Sequence, residues 1–480
     1  MTLRQAQDGA LRQAQDGALR QAQDGALRQA QDGAPAGARA GSSTALLTDR
    51  YELTMVDAAL RDGTAERRCV FELFGRRLPG GRRFGVVAGT GRLLELIRDF
   101  RFGDDELRFL RDEHVVDAAT LDFLEGYRFT GSITGYREGE LYFPGSPILT
   151  VEGTFAEAVI LETLALSVLN HDSAVATAAA RMSIAAGDRP LAEMGSRRAA
   201  ESSAVAAARA AHIAGFGATS NLEAGRRWGI PTMGTAAHSW TLLHDSEESA
   251  FRAQVVALGV GTTLLIDTYD IRTGVDTAVR VAGTELGGVR IDSGDLPTVA
   301  AEVRARLDEL GATGTRITVT SDLDEYAIAA LAASPVDSYG VGTSVVTGSG
   351  APTAGMVYKL VARQDAAGGW VAVAKASTDK GSTGGRKAAF RTLDHGTATS
   401  ELIVVSDGFE ELDTAASHPE ARGLQVPLVV DGEPDAAYEG TAGVEAARAH
   451  HARVREELPV RGLALSRSDP AIPTVYADAE

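Results

Sequence analysis

Five short apolar runs recur in the second half of the chain, and their spacing restricts the fold more than any other feature of the sequence. Their starts lie about 20–30 residues apart, the period of a βα unit. The segments Leu296–Leu310 and Glu325–Ala333 between them have helical apolar spacing. The pattern predicts a parallel sheet or barrel. The strand-like runs are Pro231–Gly234, Thr262–Thr268, Gly288–Asp292, Arg316–Ser321 and Ser338–Val341.

Polar residues follow the points where these apolar runs end. Leu264–Ile266 is followed by Asp267-Thr268-Tyr269-Asp270, and Ile317–Val319 is followed by Thr320-Ser321-Asp322. Barrel enzymes carry their active sites at the carboxyl ends of the strands. The sequence therefore predicts that these polar residues converge on one mouth.

Arg290 and Asp292 are two residues apart on one predicted strand. Both side chains are expected to project into the barrel, while Val289 and Ile291 point outward. One interpretation is a buried structural ion pair. The other is that the planar guanidinium of Arg290 binds a substrate carboxylate. Asp292 would then hold the arginine, a ribose hydroxyl or a metal.

Two further features sit at predicted strand ends. Gly340-Val341-Gly342-Thr343 is a glycine-rich turn late in the barrel, a place where backbone amides often bind phosphate. His238 lies on a turn among small residues, which leaves room for a ligand. The sequence has no GxxxxGK[ST] loop and no GxGxxG that opens a βα unit, so ATP would have to bind without a Walker loop.

The chain is predicted to consist of four segments. The octapeptide LRQAQDGA runs from Leu3 to Ala34, with a glycine in every copy and a period that forms no coiled-coil seam. Residues 1–43 are therefore predicted to be a disordered tail. Residues 44–182 are predicted to form an N-terminal α/β sandwich domain, residues 183–365 the α/β barrel, and residues 366–480 a smaller C-terminal segment.

Composition limits the partners and the compartment. The formal net charge of −18 disfavours nucleic acid and acidic membrane surfaces. We expect no membrane span, because no run of about 18 apolar residues is apparent. The single cysteine, Cys69, allows neither an internal disulfide nor a cysteine-cluster metal site. These features favour a cytoplasmic protein.

Six motifs, in order along the chain, resemble those of the nicotinate phosphoribosyltransferases. The likeness extends from about Leu46 to Leu465 and implies a type II phosphoribosyltransferase fold. That fold has an N-terminal α/β sandwich followed by an incomplete α/β barrel with about seven strands. The motifs are Leu47–Met55, Glu193–Arg198, Thr219–Gly225, Gly234–Ser239, Val289–Asp295 and Tyr339–Thr343.

The resemblance implies roles for particular residues. Arg290 would bind the nicotinate carboxylate, and Thr235 would help to position the pyridine ring. Arg197 and the turn with Gly340, Gly342 and Thr343 would hold phosphoribosyl pyrophosphate.

The resemblance also implies ATP as a co-substrate, Mg²⁺ as a cofactor and a homodimer with shared active sites. His238 would be phosphorylated by ATP, and Tyr51 would stack on the ring in the partner subunit's site. The metal ligands and the role of the lysines in Lys375–Lys380 stay unassigned. The family commonly has an apolar residue where this chain has Arg50.

Other activities remain open at this point. Nicotinamide phosphoribosyltransferase shares the fold and takes a neutral amide. Quinolinate phosphoribosyltransferase would need a more basic pocket for two carboxylates. A sugar-phosphate lyase or aldolase would need a lysine at a strand end, and the strand ends above carry none. A non-catalytic nucleotide-binding protein would not need His238, Arg290 and Asp292 together.

Overall fold

The computed structural model describes residues 43–375, 383–406 and 421–478. The octapeptide repeats, and all of the lysine motif except Lys375, lie outside the described residues. The described chain from Thr44 onward forms one compact unit.

A six-stranded parallel sheet forms the predicted barrel. A seventh position is present only as a parallel bridge between Thr219 and Thr232, so the predicted strand Pro231–Gly234 is reduced to one paired residue. The predicted incomplete α/β barrel is confirmed. In sheet order the strands are Ala218–Thr219, Leu191–Glu193, Ser338–Val341, Arg316–Val319, Gly288–Ile291 and Thr263–Leu265.

Helices between the strands cover the outer face of this sheet. Asp270 and Asp295 accept hydrogen bonds from the backbone amides of Thr273 and Thr298, and so fix where two of these helices begin. Val289 and Ile291 are fully buried, as expected for strands covered by helices. The helices are Glu201–Ile213, Leu222–Trp228, His238–Leu243, Glu247–Leu258, Ile271–Ala282, Leu296–Glu309, Glu325–Ala330 and Thr343–Val346.

A seven-stranded sheet forms the N-terminal domain and recruits strands from distant parts of the chain. Four of its strands come from residues 356–434, which fall in the predicted segments 183–365 and 366–480. The order is Trp370–Ala372, Met356–Gln364, Arg68–Gly75, Leu149–Thr154, Ser132–Tyr136, Gln425–Val430 and Glu433–Pro434. The helices of this domain are Arg50–Asp62, Thr90–Arg98, Asp104–Asp112, Ala118–Glu125 and Phe155–Val159.

The C-terminal region adds a four-stranded sheet and the helix Gly440–Arg455. Its strands, in order, are Ala421–Gly423, Arg386–Asp394, Thr397–Ser406 and Thr474–Asp478. A two-stranded ribbon pairs Gly85–Val86 with Leu141–Tyr142. Single turns of 3₁₀ helix occur at Pro79–Gly81, Ser196–Arg198, Ala436–Tyr438 and Val460–Leu463.

The long helix Glu162–Ala186 lies between the two domains and supplies residues to both hydrophobic cores. By length and composition one helical stretch, Phe155–Ala186, is apolar enough to cross a membrane. The prediction that no such stretch exists needs this correction. Because 67% of its most apolar window is buried inside the protein, the composition reflects a core helix.

Candidate functional site at the barrel mouth

A cavity of about 550 Å³ opens at the carboxyl ends of the barrel strands. This size is typical of small-molecule sites. Seven of the nine residues singled out from the sequence line it, namely Arg197, Thr235, Arg290, Asp292, Gly340, Gly342 and Thr343. The predicted convergence of strand ends on one mouth is therefore observed for these residues.

Arg290 extends into the mouth from the strand Gly288–Ile291. Its Nη1 donates to Thr235 Oγ1 at 2.7 Å, and its buried Nε has no hydrogen-bond partner among the described residues. Burial lowers the pKa of Arg290, but an arginine remains charged in proteins. No ion pair with Asp292 is recorded between these two described side chains. The geometry therefore leaves a guanidinium without a carboxylate partner facing the cavity.

Asp267 and Asp292 form the acidic side of the mouth. Asp267 Oδ2 accepts the backbone amide of Asp292 at 2.8 Å and the hydroxyl of Ser293 at 2.7 Å. Asp267 Oδ1 is buried and has no hydrogen-bond partner among the described residues. Asp292 Oδ1 accepts a hydrogen bond from Thr320. One carboxylate oxygen thus stays available for a donor or a cation.

His238 lies beside these carboxylates as the first residue of the helix His238–Leu243. Its Nδ1 is 3.1 Å from Thr268 Oγ1. Its Nε2 is 4.0 Å from Asp267 Oδ1 and 3.9 Å from Asp292 Oδ2. The side chain is 40% exposed, so a ligand can approach the imidazole. The structure therefore brings His238 to the mouth together with Asp292, although it is not among the residues that line the cavity.

The opposite wall of the mouth carries Arg197 and Arg198 on the 3₁₀ turn Ser196–Arg198. Buried Glu193 anchors this turn, because its carboxylate accepts from the Gly195 amide and from Thr219 Oγ1. Burial raises the pKa of Glu193. Both arginines are exposed, and the recorded ion pairs of the described residues include neither. This wall therefore offers two cations to an anionic ligand.

Gly340 closes the floor of the mouth, where no side chain fits. A Cβ on Gly340 would lie 2.6 Å from Thr320 Cγ2 and 2.7 Å from the sulfur of Met194. Both distances are shorter than real Cβ contacts, so a side chain at this position would require those of Thr320 and Met194 to move.

Several lining residues had no role assigned from the sequence. Arg198 and Ser220 lie inside the family motifs, and Asp322 belongs to a polar run that follows a strand. Their positions in the sequence could have identified them as site residues. The backbone conformation of Ser321 could not have been identified in this way, because its φ of 112°, rare for a non-glycine residue, is known only from the structure.

Tyr51 does not line the cavity of its own chain. It lies in the helix Arg50–Asp62, and its side chain is 46% exposed. Partial burial, with Glu162 and Glu52 nearby, raises the pKa of Tyr51 to about 12, so the phenol stays neutral. Its predicted position in the site therefore stays a prediction that a second subunit would have to fulfil.

Comparisons with known proteins identify the family of the chain. The model of the nicotinate phosphoribosyltransferase N-terminal domain matches residues 46–170, and that of the nicotinate phosphoribosyltransferase family matches residues 190–395. The chain is 56% identical over 447 residues to nicotinate phosphoribosyltransferase pncB1 of Mycobacterium tuberculosis, which covers 89% of this chain and 94% of that protein.

A more distant relative and a solved structure also match. Nicotinate phosphoribosyltransferase of Bacillus subtilis is 40% identical over 371 residues, which cover 75% of each chain. The crystal structure of human nicotinic acid phosphoribosyltransferase superposes with a TM-score of 0.75 at 27% identity, and covers 90% of this chain and 97% of the human one.

Proposed function

The chain belongs to the nicotinate phosphoribosyltransferase family and is an enzyme, and from this premise we propose the reaction at its barrel mouth. Nicotinate and phosphoribosyl pyrophosphate give nicotinate mononucleotide and pyrophosphate, a step of NAD biosynthesis from nicotinate. The observation that carries the proposal is Arg290, whose guanidinium faces the cavity without a carboxylate partner. We place the reaction in the cytoplasm, in keeping with a single, buried cysteine.

Arg290 supplies the specificity for an acid. A buried guanidinium with a free Nε can form charge-assisted hydrogen bonds to a carboxylate. A neutral carboxamide offers one oxygen acceptor and an NH₂ group that cannot accept from arginine. Thr235, which already accepts from Arg290 Nη1, holds the guanidinium in place beside the ring. These contacts favour nicotinate over nicotinamide.

The phosphate groups belong on the opposite wall. Arg197 and Arg198 provide guanidinium groups, and the turn Gly340–Thr343, two of whose residues are glycines, provides backbone amides. Such groups bind phosphate well because the charges and dipoles are fixed before the ligand arrives. The ribose then lies between this wall and Arg290, with its anomeric carbon facing the pyridine nitrogen.

The chemistry needs orientation more than proton transfer. The lone pair of the pyridine nitrogen forms a bond to the anomeric carbon while the bond from that carbon to pyrophosphate breaks. The pyridine nitrogen has no proton to lose, so no general base is required. Positive charge develops on the ribose and negative charge on the leaving pyrophosphate, which Arg197 and Arg198 stabilise. Asp292 is in position to stabilise the ribose or hold its hydroxyls.

The donor set at the mouth fits Mg²⁺ brought in by the diphosphate. Among the described residues, no group of three or more His, Cys, Asp and Glu side chains could hold a metal by itself. Mg²⁺ usually binds through one or two carboxylates together with substrate phosphates and water. Asp292 and Asp322 line the cavity and would hold it there, where it would neutralise charge on the pyrophosphate.

His238 couples the reaction to ATP in this proposal. In the tautomer that carries its proton on Nδ1, the ring donates to Thr268 Oγ1, and Nε2 keeps its lone pair. Nε2 then attacks the γ-phosphorus of ATP, the N–P bond forms, the bond to the bridging oxygen breaks, and ADP leaves. Hydrolysis of the phosphohistidine after product formation returns His238 to its resting state.

A homodimer completes each site. Tyr51 is half exposed, neutral and absent from its own chain's cavity, so we assign it to the partner subunit's site, where its ring stacks on the pyridine. Arg50, beside it on the same exposed helix end, is at the expected contact between subunits.

A product assay tests the proposal. Purified protein is incubated with phosphoribosyl pyrophosphate and Mg²⁺, with nicotinate or nicotinamide, each with and without ATP. We expect nicotinate mononucleotide, formed faster when ATP is present. Product from nicotinamide alone would reassign the chain to the amide-specific reaction, and absence of product from both would refute the proposed reaction.

A further inference from the structure

A second cleft, of about 320 Å³, lies at the end of the barrel opposite the mouth. It is bounded by the loops that lead into the strands Leu191–Glu193 and Ala218–Thr219, and by the last turns of the helix Gly440–Arg455. We call it the basal cleft. Its volume lies at the lower end of the range for small-molecule sites. Because the barrel strands separate it from the mouth, its occupant would be distinct from the substrates.

Three arginines line the basal cleft, although the chain carries a net charge of −18. They are Arg189, Arg448 and Arg455. None of the three is recorded in an ion pair with a carboxylate in the described parts of the chain, although exposed Asp188 also lines the cleft. Burial lowers the pKa of Arg448, whereas nearby Glu445 acts to raise that pKa and so compensates part of this charge. The positive charge that remains in a concave site attracts anions.

The three guanidinium groups differ in what they can still donate. Arg189 Nη1 and Nη2 donate to Leu331 O, Tyr339 Oη, Ala332 O and Ser334 O at 2.8–3.1 Å. Arg448 donates to the carbonyls of His212, Gly215 and Phe216. These partners are neutral, so both arginines keep their charge but have few free donors. Arg455 has no side-chain hydrogen bond recorded in the described residues, so its donors are the ones still free to meet an anion.

His451 gives the basal cleft a second kind of recognition. The residue is 2% exposed and lines the cleft. Its Nδ1 is 3.0 Å from the carbonyl oxygen of Gly139, which can only accept, so Nδ1 carries the proton. Its buried Nε2 has no partner among the described residues and carries a lone pair. Burial lowers the pKa of His451 to about 4, which keeps Nε2 an acceptor at neutral pH.

We propose that the basal cleft binds a small phosphate monoester that carries a hydroxyl group, as a sugar phosphate does. The phosphate contacts Arg455 in the positive field of Arg189 and Arg448, and a hydroxyl donates to His451 Nε2. The volume suits a molecule of one sugar ring and one phosphate better than a dinucleotide. The proposal does not depend on the reaction at the mouth.

Calorimetric titration of the full chain with ribose 5-phosphate tests this site. The parent, Arg455→Glu, Arg316→Glu and Arg197→Glu are compared. Arg316 is exposed, lies at the start of a barrel strand and does not line the cleft. Arg316→Glu therefore changes the net charge as much as Arg455→Glu does, away from the cleft. We expect Arg455→Glu to raise the Kd of one bound equivalent by at least about tenfold. That equivalent should persist in Arg316→Glu and in the mouth variant Arg197→Glu.

Three outcomes would overturn the proposal. One is an equal Kd for ribose 5-phosphate in Arg455→Glu and Arg316→Glu. Another is loss of all binding in Arg197→Glu alone, which would place the ligand in the mouth. The third is inorganic phosphate binding as tightly as ribose 5-phosphate, which would remove the role of His451. Arg455→Gln replaces Arg455→Glu if the latter lowers the Tm. The titration needs no turnover, so its failure is separate from failure of the proposed reaction.

Discussion

Two groups of charged side chains in this molecule are built on opposite principles. At the joint between the N-terminal domain and the C-terminal sheet, buried Arg391 and half-buried Arg422 each have a carboxylate within 2.8 Å, on Glu401 and Glu140. His450 also bonds Glu140, and these contacts hold the pKa of that carboxyl well below its usual range despite burial. We call these five residues the Arg391 cluster.

At the barrel mouth the described charged groups form no hydrogen bonds with one another. Arg290 donates to Thr235 instead of a carboxylate, Asp267 Oδ1 has no described hydrogen-bond partner, and His238 Nε2 lies 3.9–4.0 Å from the acidic oxygens. Burying unpaired charge costs stability, and a fold tolerates that cost where a ligand completes the pairing. The two regions therefore differ in whether their charged groups pair with one another.

The largest effect is expected from breaking the Arg391 cluster. Arg391→Met leaves Glu401 buried without its cation, which should cost about 3–5 kcal/mol of the free energy of unfolding. Chemical denaturation measures it. The matched control is Arg226→Ala, which removes an exposed pair with Glu223 and should leave the denaturation midpoint unchanged. Equal midpoints for the two variants would contradict a structural role for the cluster.

His451, next to the cluster on the same helix, should make stability depend on pH. Its pKa of about 4 in the folded protein lies below the usual value of 6.5 for a histidine. Between pH 4 and pH 6.5 the unfolded chain therefore binds the proton more readily than the folded protein does. Its contribution is present above about pH 6.5 and is lost as pH falls toward 4. We expect a loss of about 2 kcal/mol between pH 7 and pH 5.

The control for the pH effect is His451→Gln, which has no titrating ring. Denaturation of the parent and the variant at both pH values isolates the contribution of His451. An equal pH dependence in the two proteins would show that this imidazole titrates normally.

Tyr51 tests whether the mouth is complete within one chain. Tyr51→Ala should lower kcat/KM for nicotinate by about tenfold, because an aromatic contact is lost. Arg290→Ala should be less active still. If Tyr51 serves the partner's site, mixed dimers of the two variants contain one intact site. The activity of the mixture should then exceed the summed activities of the two separate variants. If each site is complete within one chain, subunit exchange should recover no activity.

The smallest effect is expected at His238. His238→Ala should keep slow turnover without ATP, since the pyridine nitrogen of nicotinate needs no base. The variant should lose the stimulation of the rate by ATP, which we expect to be about fivefold or more in the parent. Initial rates with and without ATP measure the loss. His244→Ala changes a nearby imidazole whose Nδ1 bonds the Trp240 carbonyl and serves as the control. Full ATP stimulation in His238→Ala would remove the phosphohistidine from the account.

The sequence predicted those features that depend on local pattern. The predicted strand Ser338–Val341 agrees residue for residue with the structure. The alternation of side chains along a strand also correctly placed Arg290 on the opposite face from buried Val289 and Ile291. Pairings between distant segments carry no such local signal. Phe71 lies opposite Leu360 in the N-terminal sheet.

The basal cleft illustrates the same limit. It combines Arg189 with Arg448 and His451, more than 250 residues further along the chain. Each of these residues looks ordinary in its own segment, and only the tertiary fold brings them together. The φ of 112° at Ser321 likewise has no signal in the local sequence.

Acid-versus-amide selectivity tests most directly the claim that Arg290 is left unpaired to bind a carboxylate. The ratio of kcat/KM for nicotinate to that for nicotinamide is measured in the parent, in Arg290→Ala and in Arg197→Ala. We expect the ratio to fall by about 100-fold in Arg290→Ala, since the charge-assisted contact with the substrate carboxylate is lost. It should stay near the parent value in Arg197→Ala, which affects both substrates equally. An unchanged ratio in Arg290→Ala would contradict the account.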